Sequence, residues 1–414
     1  MTLRDATDTP AAVTLDDVRA ARERIGDAAG GTPCRPPHSP DRLGARTWLK
    51  YENLHPTGSF KERGAVNKLR SLGDDERRRG VITASAGNHA QALAYHATRL
   101  GIAATVVMPE ATPLVKVSNT RRFGARVILH GATFDDAVDE ALRRREAEGQ
   151  VMVHAFDDPV VVAGQGTIGL ELAEQVGAVG TVVVPIGGGG LCSGIALVLK
   201  TLQPEVRVIG VEATAAPSAL ASRRAGRIVK IEAAETLADG IAVKRVGEVT
   251  FPLLERYVDD IVTVDDEEIA HAILLLLERE KVLVEGAGAA GVAALLAHRF
   301  DVRPDEETVL VLCGGNIDVN ILSRIIDRGL VDDGRLARLE VTVRDRPGML
   351  ARLTATVAER GANVLESAHS RAFADISVGE VAIALTLETR GREHVDELVA
   401  ALREDGHQVR EVVG

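Results

Sequence analysis

Lys61 is the residue of this chain whose neighbours best suit an amine nucleophile. It lies in the segment Pro-Thr-Gly-Ser-Phe-Lys-Glu-Arg-Gly-Ala, residues 56–65, shortly after the predicted short strand Trp48–Tyr51. A lysine in apolar surroundings has a lowered pKa and can form a Schiff base with an aldehyde. Taken alone, a lysine at a predicted helix start is more often a solvated residue. Its chemistry therefore depends on what other segments bring to it.

A run of four glycines is suited to hold a phosphate. Gly187–Gly190 follow the predicted strand Thr181–Pro185 and precede the predicted helix Cys192–Thr201. Glycine backbones let successive N–H groups converge on an anion, and a structural turn needs only one or two glycines. The run has neither the Walker Gly-Lys-Ser/Thr nor dinucleotide spacing. We predict a phosphate loop here. The nearby stretch Gly164–Gly169 also resembles GxGxxG, but it does not directly follow a strand, and we interpret its glycines as packing residues.

Two further segments place polar residues where predicted strands end. Ser85, Ala86, Gly87, Asn88 and His89 follow Val81–Thr83 and open a helix, so their free N–H groups suit a carboxylate. An ordinary turn capped by Asn88 is the simpler interpretation of that loop by itself. Cys313 ends the run Thr308–Leu312 and precedes Gly-Gly-Asn316. A buried cysteine is usually a small core residue, but strand ends in parallel sheets commonly carry ligand groups.

The elements that must position these residues alternate between strands and helices. The runs that are apolar on both faces, as buried parallel strands are, are Val81–Thr83, Ala104–Met108, Arg126–Leu129, Val151–His154, Thr181–Pro185, Val206–Val211 and Thr308–Leu312. Amphipathic helices are predicted at His89–Leu100, at Asp135–Glu148 with Thr133 as its cap, and at 266–279. This alternation indicates an α/β architecture with mainly parallel sheets.

The pattern changes after Leu330. A polar hinge, Val331–Gly334, leads into alternating elements in the order βαββαβ, which is typical of a ferredoxin-like unit. The predicted elements are Leu339–Val343, Met349–Glu359, Asn363–Ser370, Glu380–Glu388, Glu393–Glu404 and Gln408–Val412. The unit contains no evident nucleophile or base. It is either an oligomerisation module or a small-molecule sensor.

Composition excludes several classes of function. The 414 residues are 45% apolar and 26% charged, as in soluble globular proteins of two or three domains. A net charge of −11 argues against nucleic acid or an anionic membrane as partner, and no apolar run reaches the ~18 residues of a membrane span. The first ten residues lack the apolar stretch of a signal peptide. Three cysteines without a CxxC pair suggest neither disulfides nor a metal site, so we expect a cytoplasmic protein.

Together the four segments resemble the tryptophan-synthase-β-like (type II) class of pyridoxal phosphate enzymes and, within it, the serine/threonine dehydratases. The resemblance extends from about Leu15 to Leu330 and contains all four motifs in order. It implies two interleaved parallel-sheet domains, a large cofactor-binding domain at 12–50 and 152–330 and a small substrate-loop domain at 51–151.

The resemblance also implies a role for each motif residue. Lys61 would form the Schiff base with pyridoxal 5'-phosphate, and Phe60 would pack near the cofactor ring. Asn88 would bond the phenolic oxygen, and Cys313 would face the pyridine nitrogen. The phosphate would be held by the backbone amides of Gly187, Gly188, Gly189, Gly190 and Leu191. The substrate carboxylate would be held by Ser85, Ala86, Gly87, Asn88 and His89, with Glu285 near the substrate side.

The implied reaction is β-elimination. The Lys61 amine would remove the α-proton of threonine, and loss of the β-hydroxyl would lead to 2-oxobutanoate and ammonia. Related racemases have a second serine where this chain has Ala86, which favours elimination. The alternatives are a dehydratase of serine or hydroxyaspartate, a catabolic threonine enzyme, and a non-catalytic amino-acid-binding regulator.

The chain departs from the family pattern at several positions. Close relatives usually have Gln where this chain has His55, which is either a benign surface exchange or a charge-tuning neighbour of the site. Glu212 matches the first carboxylate of a divalent-cation site found in some relatives, but Ser218 stands where the racemases have a second acid. We therefore expect no metal, and Asp239 remains only a possible participant.

The tail, residues 336–414, resembles an ACT domain. Asp345-Arg-Pro-Gly-Met-Leu350 matches the loop where such domains bind effectors between paired subunits. The resemblance implies feedback control by isoleucine or valine and a homodimer or homotetramer. The alternative is an ACT domain that has lost its effector and only dimerises.

Overall fold

The computed structural model describes residues 13–232, 235–371 and 377–412. The chain divides into two compact units, Met1–Ile317 and Asp318–Gly414, and each has its own sheets and apolar core. Within the described ranges, no helix is both long and apolar enough to cross a bilayer. The N-terminal segment expected to lack a signal peptide lies outside these ranges. The domain boundaries predicted within and after the first unit remain predictions.

The first unit alternates strands with helices along most of its length, as predicted. Its described strands are β1 (Cys34–Arg35), β2 (Thr47–Tyr51), β3 (Val81–Ala84), β4 (Ala104–Met108), β5 (Arg126–Leu129), β6 (Val151–Met152), β7 (Val179–Pro185), β8 (Arg207–Ala213), β9 (Asp260–Val264) and β10 (Glu307–Leu312). Its described helices are α1 (Leu15–Ile25), α2 (Pro40–Leu43), α3 (Lys61–Ser71), α4 (Asp74–Arg79), α5 (Asn88–Arg99), α6 (Leu114–Arg122), α7 (Phe134–Glu148), α8 (Pro159–Gln175), α9 (Gly190–Leu202), α10 (Ser218–Ala225), α11 (Thr250–Tyr257), α12 (Asp266–Leu275) and α13 (Gly286–Leu296).

The larger sheet has the strand order β1-β2-β10-β7-β8-β9 and is parallel except for β1. Its central strands are runs of Val, Ile and Leu that are buried on both faces, as parallel strands between helical layers must be. Leu312 pairs with Tyr51, and Leu310 pairs with Val183. This register brings the carboxyl ends of β2, β10 and β7 to one edge of the sheet.

The smaller sheet has the order β5-β4-β3-β6 and is parallel throughout. Alternate residues of β3 face opposite layers, as strand geometry requires. Val81 packs in a core with Leu93 of α5, whereas Ile82 packs against Ala137 of α7. The sheet is therefore covered by helices on both faces.

Local signals explain where two of the predicted helices begin and why the stretch Gly164–Gly169 of α8 is rich in glycine. Thr133 caps α7 as predicted, because its hydroxyl accepts from Asp136 N and the Asp136 carboxylate accepts from Thr133 N at 2.8 Å. The helix predicted at Cys192–Thr201 begins earlier, at Gly190. The interpretation of Gly164–Gly169 as packing residues is confirmed, since a Cβ at Gly164 would lie 2.8 Å from the backbone of α3.

The second unit contains α14 (Val319–Asp332), β11 (Leu336–Arg344), α15 (Met349–Glu359), β12 (Asn363–Ser370), β13 (Glu380–Glu388), α16 (Arg392–Glu404) and β14 (Gln408–Glu411). Its antiparallel sheet has the order β12-β13-β11-β14, so the predicted βαββαβ unit is confirmed. Inward residues of β11 and β13, such as Val341 and Leu385, pack against Leu353 and Leu398 of the helices. The predicted polar hinge Val331–Gly334 begins inside α14, which continues to Asp332.

Candidate active site

A cleft of about 790 Å³ lies where strands of both sheets of the first unit end. Cys313 follows β10, the glycine run follows β7, and Ser85 follows β3. Ligands of parallel sheets bind at this carboxyl edge because strand ends and helix starts converge there. The cleft therefore collects all four segments that the sequence singled out.

Lys61 is the first residue of α3 and its side chain lines the cleft. Its Nζ donates to the carbonyl of Ala155 at 2.8 Å and lies 5.0 Å from the centroid of the Phe60 ring. Desolvation lowers the pKa of Lys61 from 10.5 to about 8, against the opposing influence of Cys313 and Glu285. A fraction of this amine is therefore unprotonated at neutral pH, as a nucleophile or base requires.

The loop before Lys61 is paired, strand-like, with the segment that follows β10. Ser59 and Gly314 form an antiparallel bridge, Phe60 N donates to Cys313 O at 3.1 Å, and Gly315 N donates to Gly58 O at 2.9 Å. Gly58 has φ +76°, a conformation that favours glycine. These bonds fix Lys61 relative to Cys313.

A buried ion cluster anchors the first turn of α3. Arg63 donates to Glu52 through Nε at 2.7 Å and to Glu171 through Nη1 at 2.6 Å, and Lys50 donates to Glu171 at 2.5 Å. Thr32 donates to the other oxygen of Glu52 at 2.5 Å. Two cations and two carboxylates balance, so the desolvated charges are all paired. The cluster lies two residues from Lys61 and restricts its backbone.

His55 is part of this cluster rather than of the surface. It is 8% exposed, and its Nε2 lies 3.0 Å from Glu52 Oε2. The interpretation as a benign surface exchange is therefore wrong, because the side chain is buried against a carboxylate that also binds Arg63. His55 is a buried neighbour of the turn that carries Lys61.

The glycine loop presents free backbone amides to the cleft. Gly187 to Leu191 donate no hydrogen bond to any residue in the described ranges, and α9 begins within the loop without a side-chain cap. The loop needs glycine because its neighbours are close. A Cβ at Gly188 would lie 2.3 Å from the Phe156 ring, and Gly189 has φ +94°. The amides and the helix dipole together form an anion site.

The outer side of the loop is held by α11. Thr250 Oγ1 donates to Gly188 O at 2.7 Å, and Gly247 N donates to the same oxygen. Asp157 in turn accepts from Glu248 N at 2.9 Å and from Val249 N at 2.8 Å. The carbonyl of Gly188 is thus turned away from the cleft.

The loop between β3 and α5 offers a second anion site. No described residue accepts a hydrogen bond from the amides of Asn88 and His89, the first residues of α5. The His89 side chain is buried and donates to Val153 O at 3.0 Å, and burial lowers its pKa to about 3, so it is neutral. Ala86 is not part of the cleft lining, because its methyl packs against the core of the smaller sheet. Its assignment to substrate remains a prediction.

Asn88 and Glu285 are joined across the cleft. Asn88 Nδ2 donates to Glu285 Oε1 at 2.7 Å, and Asn88 Oδ1 accepts from Asn316 Nδ2 at 2.7 Å. Burial raises the pKa of Glu285 to about 7, with Asp239 raising it further and Lys116 opposing. Lys116 and Asp239 form an ion pair of 2.8 Å. Glu285 can therefore hold a proton near neutral pH.

Cys313 is a neutral thiol in this setting. Its side chain is 2% exposed, and burial raises its pKa well above 9.0, with Glu285 adding to the shift. The residue lines the cleft at the end of β10. A protonated thiol offers a weak hydrogen bond but no negative charge to a group facing it.

The carboxylate of Glu212 accepts hydrogen bonds from the backbone in this structure. Its two carboxylate oxygens accept from Ala219 N at 2.7 Å and Leu220 N at 2.9 Å, at the start of α10. Burial raises the pKa of Glu212 to about 7. The absence of a metal remains a prediction.

The structure adds residues that the sequence did not single out. Every predicted site residue except Ala86 lines the cleft, and their individual roles remain predictions. The additions are His154, Phe156, Asn316 and Thr250. His154 was detectable, since it ends the predicted strand Val151–His154. Thr250 was not, because only the tertiary fold brings it to the glycine loop.

Known proteins resemble this chain over both units. A family model described as "Pyridoxal-phosphate dependent enzyme" matches residues 25–314, and one described as "ACT domain" matches residues 337–407. The L-threonine ammonia-lyase of Thermotoga maritima is 49% identical over 97% of this chain and 100% of the relative. The catabolic L-threonine dehydratase TdcB of Escherichia coli (strain K12) is 43% identical over 77% of this chain and 97% of its own length.

A solved structure, that of maize serine racemase, superimposes with a TM-score of 0.72 at 35% identity and covers 78% of this chain and 99% of that one. The predicted tryptophan-synthase-β-like fold with a C-terminal ACT domain is thereby confirmed. The cofactor prediction is confirmed at the level of the family. The chain belongs to the family of pyridoxal-phosphate-dependent enzymes.

Proposed function

We propose that this protein is a dehydratase that converts L-threonine to 2-oxobutanoate and ammonia, and L-serine to pyruvate and ammonia. The observation that carries the proposal is the Lys61 amine, with its pKa lowered to about 8, in one cleft with two sets of free amides. Threonine is supported as substrate by the names of two relatives, an L-threonine ammonia-lyase and an L-threonine dehydratase.

The residues present fit pyridoxal phosphate. Its aldehyde needs an unprotonated amine, which Lys61 supplies, and its phosphate needs converging N–H groups, which Gly187 to Leu191 supply. Phe60 and Cys313 offer the apolar and uncharged surroundings that the ring needs. When bound, the cofactor supplies a sink for the negative charge that develops at the substrate α-carbon.

Lys61 is the proposed base of the reaction. An amine with a pKa of about 8 accepts the α-proton at Nζ without a large energetic cost near neutral pH. The carbonyl of Ala155, 2.8 Å from Nζ, then stabilises the ammonium that results. The amides of Asn88 and His89 are the proposed ligands of the substrate carboxylate, which orients the α-proton toward Lys61.

Cys313 and Ala86 favour elimination over racemisation, the activity named for the maize structure. The neutral thiol of Cys313 provides no carboxylate that would keep a ring nitrogen protonated, so charge at the α-carbon is relieved by early loss of the β-hydroxyl. Ala86 carries no group able to return a proton to the opposite face, and its methyl packs into the core. We therefore expect elimination rather than racemisation.

We further propose feedback by isoleucine or valine, a role in isoleucine synthesis and a homodimer or homotetramer. A pocket of about 420 Å³ in the second unit is lined by the predicted effector loop, and it contains an ion pair of Asp345 with Arg371 at 2.7 Å. The ammonium and carboxylate groups of a free amino acid are complementary to Asp345 and Arg371, respectively. Such regulation corresponds to a coupling of ~1–3 kcal/mol between the effector site and the active site.

We also propose a cytoplasmic location. Cys34, Cys192 and Cys313 are free thiols, which supports this proposal.

The test is release of 2-oxo acid from L-threonine, L-serine and hydroxyaspartate, with and without isoleucine and valine. We expect the largest kcat/KM with threonine and inhibition by one of the two effectors. A preference for serine or hydroxyaspartate would favour the alternative dehydratases, and activation or indifference toward isoleucine would favour a catabolic role. Release from none of the three would contradict the proposal.

A further inference from the structure

His154 has one ring nitrogen satisfied and the other without a partner. Its Nδ1 accepts from the backbone N–H of Asp157 at 2.8 Å and of Phe156 at 3.3 Å. No described residue bonds its Nε2, and the side chain lines the cleft. Desolvation lowers the pKa of His154, with Asp157 opposing the shift and Lys61 adding to it. With Nδ1 an acceptor, the proton must be on Nε2.

The ring is held in place by its neighbours. It packs edge-on against Phe156, with 4.7 Å between ring centroids and 86° between the planes. The two N–H bonds to Nδ1 hold that side of the imidazole against residues 156 and 157, and the residue lines the cleft. A donor fixed in both tautomer and direction is characteristic of a binding group.

The segment that carries His154 connects the two ends of the cofactor site. Ala155 O accepts from Lys61 Nζ, so the segment reaches the amine. Phe156 occupies the space beside Gly188 and Gly190, where a Cβ would lie 2.3 Å and 3.1 Å from its atoms, so the segment also contacts the glycine loop. The imidazole packs against Phe156, so it lies at the end of the segment that contacts the glycine loop.

The geometry points to His154 as a hydrogen-bond donor, through Nε2–H, to the phosphate of bound pyridoxal phosphate. The amides of the glycine loop bind this dianion, and His154 adds a donor from the segment that packs beside the loop through Phe156. Binding of the dianion would in turn stabilise a proton on the ring. This inference depends on the cofactor of the family and not on the identity of the substrate.

The test compares two ligands, pyridoxal phosphate and pyridoxal, which lacks the phosphate. We expect His154→Ala to weaken binding of pyridoxal phosphate to the apoenzyme by about tenfold and to leave pyridoxal binding within twofold of wild type. His154→Gln, which keeps an N–H donor, should recover part of the loss. His271→Ala, at an exposed position of α12, is the matched control and should change neither.

Three outcomes would overturn the inference. One is unchanged affinity of His154→Ala for pyridoxal phosphate, and another is an equal loss for both ligands, which would indicate a ring contact or a structural effect. The third is a raised KM for threonine with unchanged cofactor affinity, which would assign His154 to the substrate. If wild type itself failed to bind pyridoxal phosphate, the proposed function would fail instead.

Discussion

At the scale of the residue, the account depends on proton affinities that burial has shifted. Lys61 is an amine whose pKa falls to about 8, and Glu285 is a carboxyl whose pKa rises to about 7. Both shifts have desolvation as their largest cause, because burial disfavours the charged form of either group. The two groups therefore titrate within about one pH unit of each other in the same cleft, where acid and base roles are needed.

The pH dependence of cofactor incorporation reports the Lys61 pKa. Only the neutral amine reacts with an aldehyde, so the incorporation rate should rise about tenfold per pH unit below 8 and level off above it. Stopped-flow absorbance of the apoenzyme mixed with pyridoxal phosphate measures this rate. A rate that still rises tenfold between pH 9 and 10 would indicate an ordinary lysine.

Glu285 makes the stability of the protein depend on pH. Its pKa is 4.5 when unfolded and about 7 when folded, so its stabilising contribution is complete below pH 4.5 and is lost as pH rises through 7. The loss amounts to about 3 kcal/mol. In Glu285→Gln, the free energy of unfolding should fall less than in wild type between these pH values, as urea titrations would measure. Parallel pH profiles of the two proteins would contradict this assignment.

At the scale of the element, packing among helices α3, α8 and α9 fixes the first turn of α3, which carries Lys61, against the core. Helix α8 packs against α3 and α9 at points where only glycine fits. A Cβ at Gly164 would lie 2.8 Å from the backbone of α3, and a Cβ at Gly194 would lie 2.7 Å from Gly166 N. Close helix contact makes the arrangement rigid. The first turn of α3, with Lys61, is held on one side by this contact and on the other by the Arg63 ion cluster.

Gly194→Ala should destabilise the first unit by about 1–3 kcal/mol, because the new methyl would overlap backbone atoms that cannot move independently. Gly291→Ala is the matched control. That helical glycine is also buried, but a Cβ there would lie 3.6 Å from the nearest atom of Val183, which is an ordinary van der Waals distance. The control should be neutral or stabilising by up to about 1 kcal/mol, because alanine favours the helix. Equal destabilisation of the two variants in urea titrations would show that helix contact is not the cause.

Sequence patterns predicted the elements well where burial alone decides them. The strand Ala104–Met108, which is buried throughout, has the predicted bounds, since an apolar run between helices leaves little choice. Bounds moved where a tertiary contact decides, as at Gly190, which enters α9 because the glycine loop turns directly into the helix. The short edge strand β1 was not predicted, because a strand of two residues is too short to show an alternation of apolar and polar residues.

The candidate site was predictable as a set of segments but not as a network. Each motif follows a strand, so convergence at one sheet edge follows from parallel topology. The ion cluster was not predictable, because Lys50 and Glu171 are 121 positions apart and each is an ordinary charged residue in its own element. His55 was misjudged for the same reason.

At the scale of the whole molecule, the chain combines a catalytic unit with a second unit that has a pocket of its own. The Thermotoga relative covers both, whereas the Escherichia relative covers 77% of this chain. The effector loop and Arg371 are the parts of the second unit on which the proposal depends.

Arg371→Ala should abolish the response to isoleucine or valine and leave basal 2-oxo acid release within twofold of wild type. The substitution removes the partner of Asp345 from the pocket, whereas Arg392→Ala removes a surface ion pair with Glu411 outside it. We expect Arg392→Ala to respond as wild type does. The measurement is inhibition by isoleucine or valine with threonine as substrate. A full response in Arg371→Ala would show that this pocket is not the effector site.

The most direct test of the central claim is a product assay with L-threonine on wild type and Lys61→Ala, both supplied with pyridoxal phosphate. The account predicts 2-oxobutanoate and ammonia in equal amounts from wild type, and a loss of at least roughly 10³-fold in Lys61→Ala, since the variant lacks the base. Comparable 2-oxobutanoate release by the variant, or threonine consumption by wild type without ammonia, would contradict it.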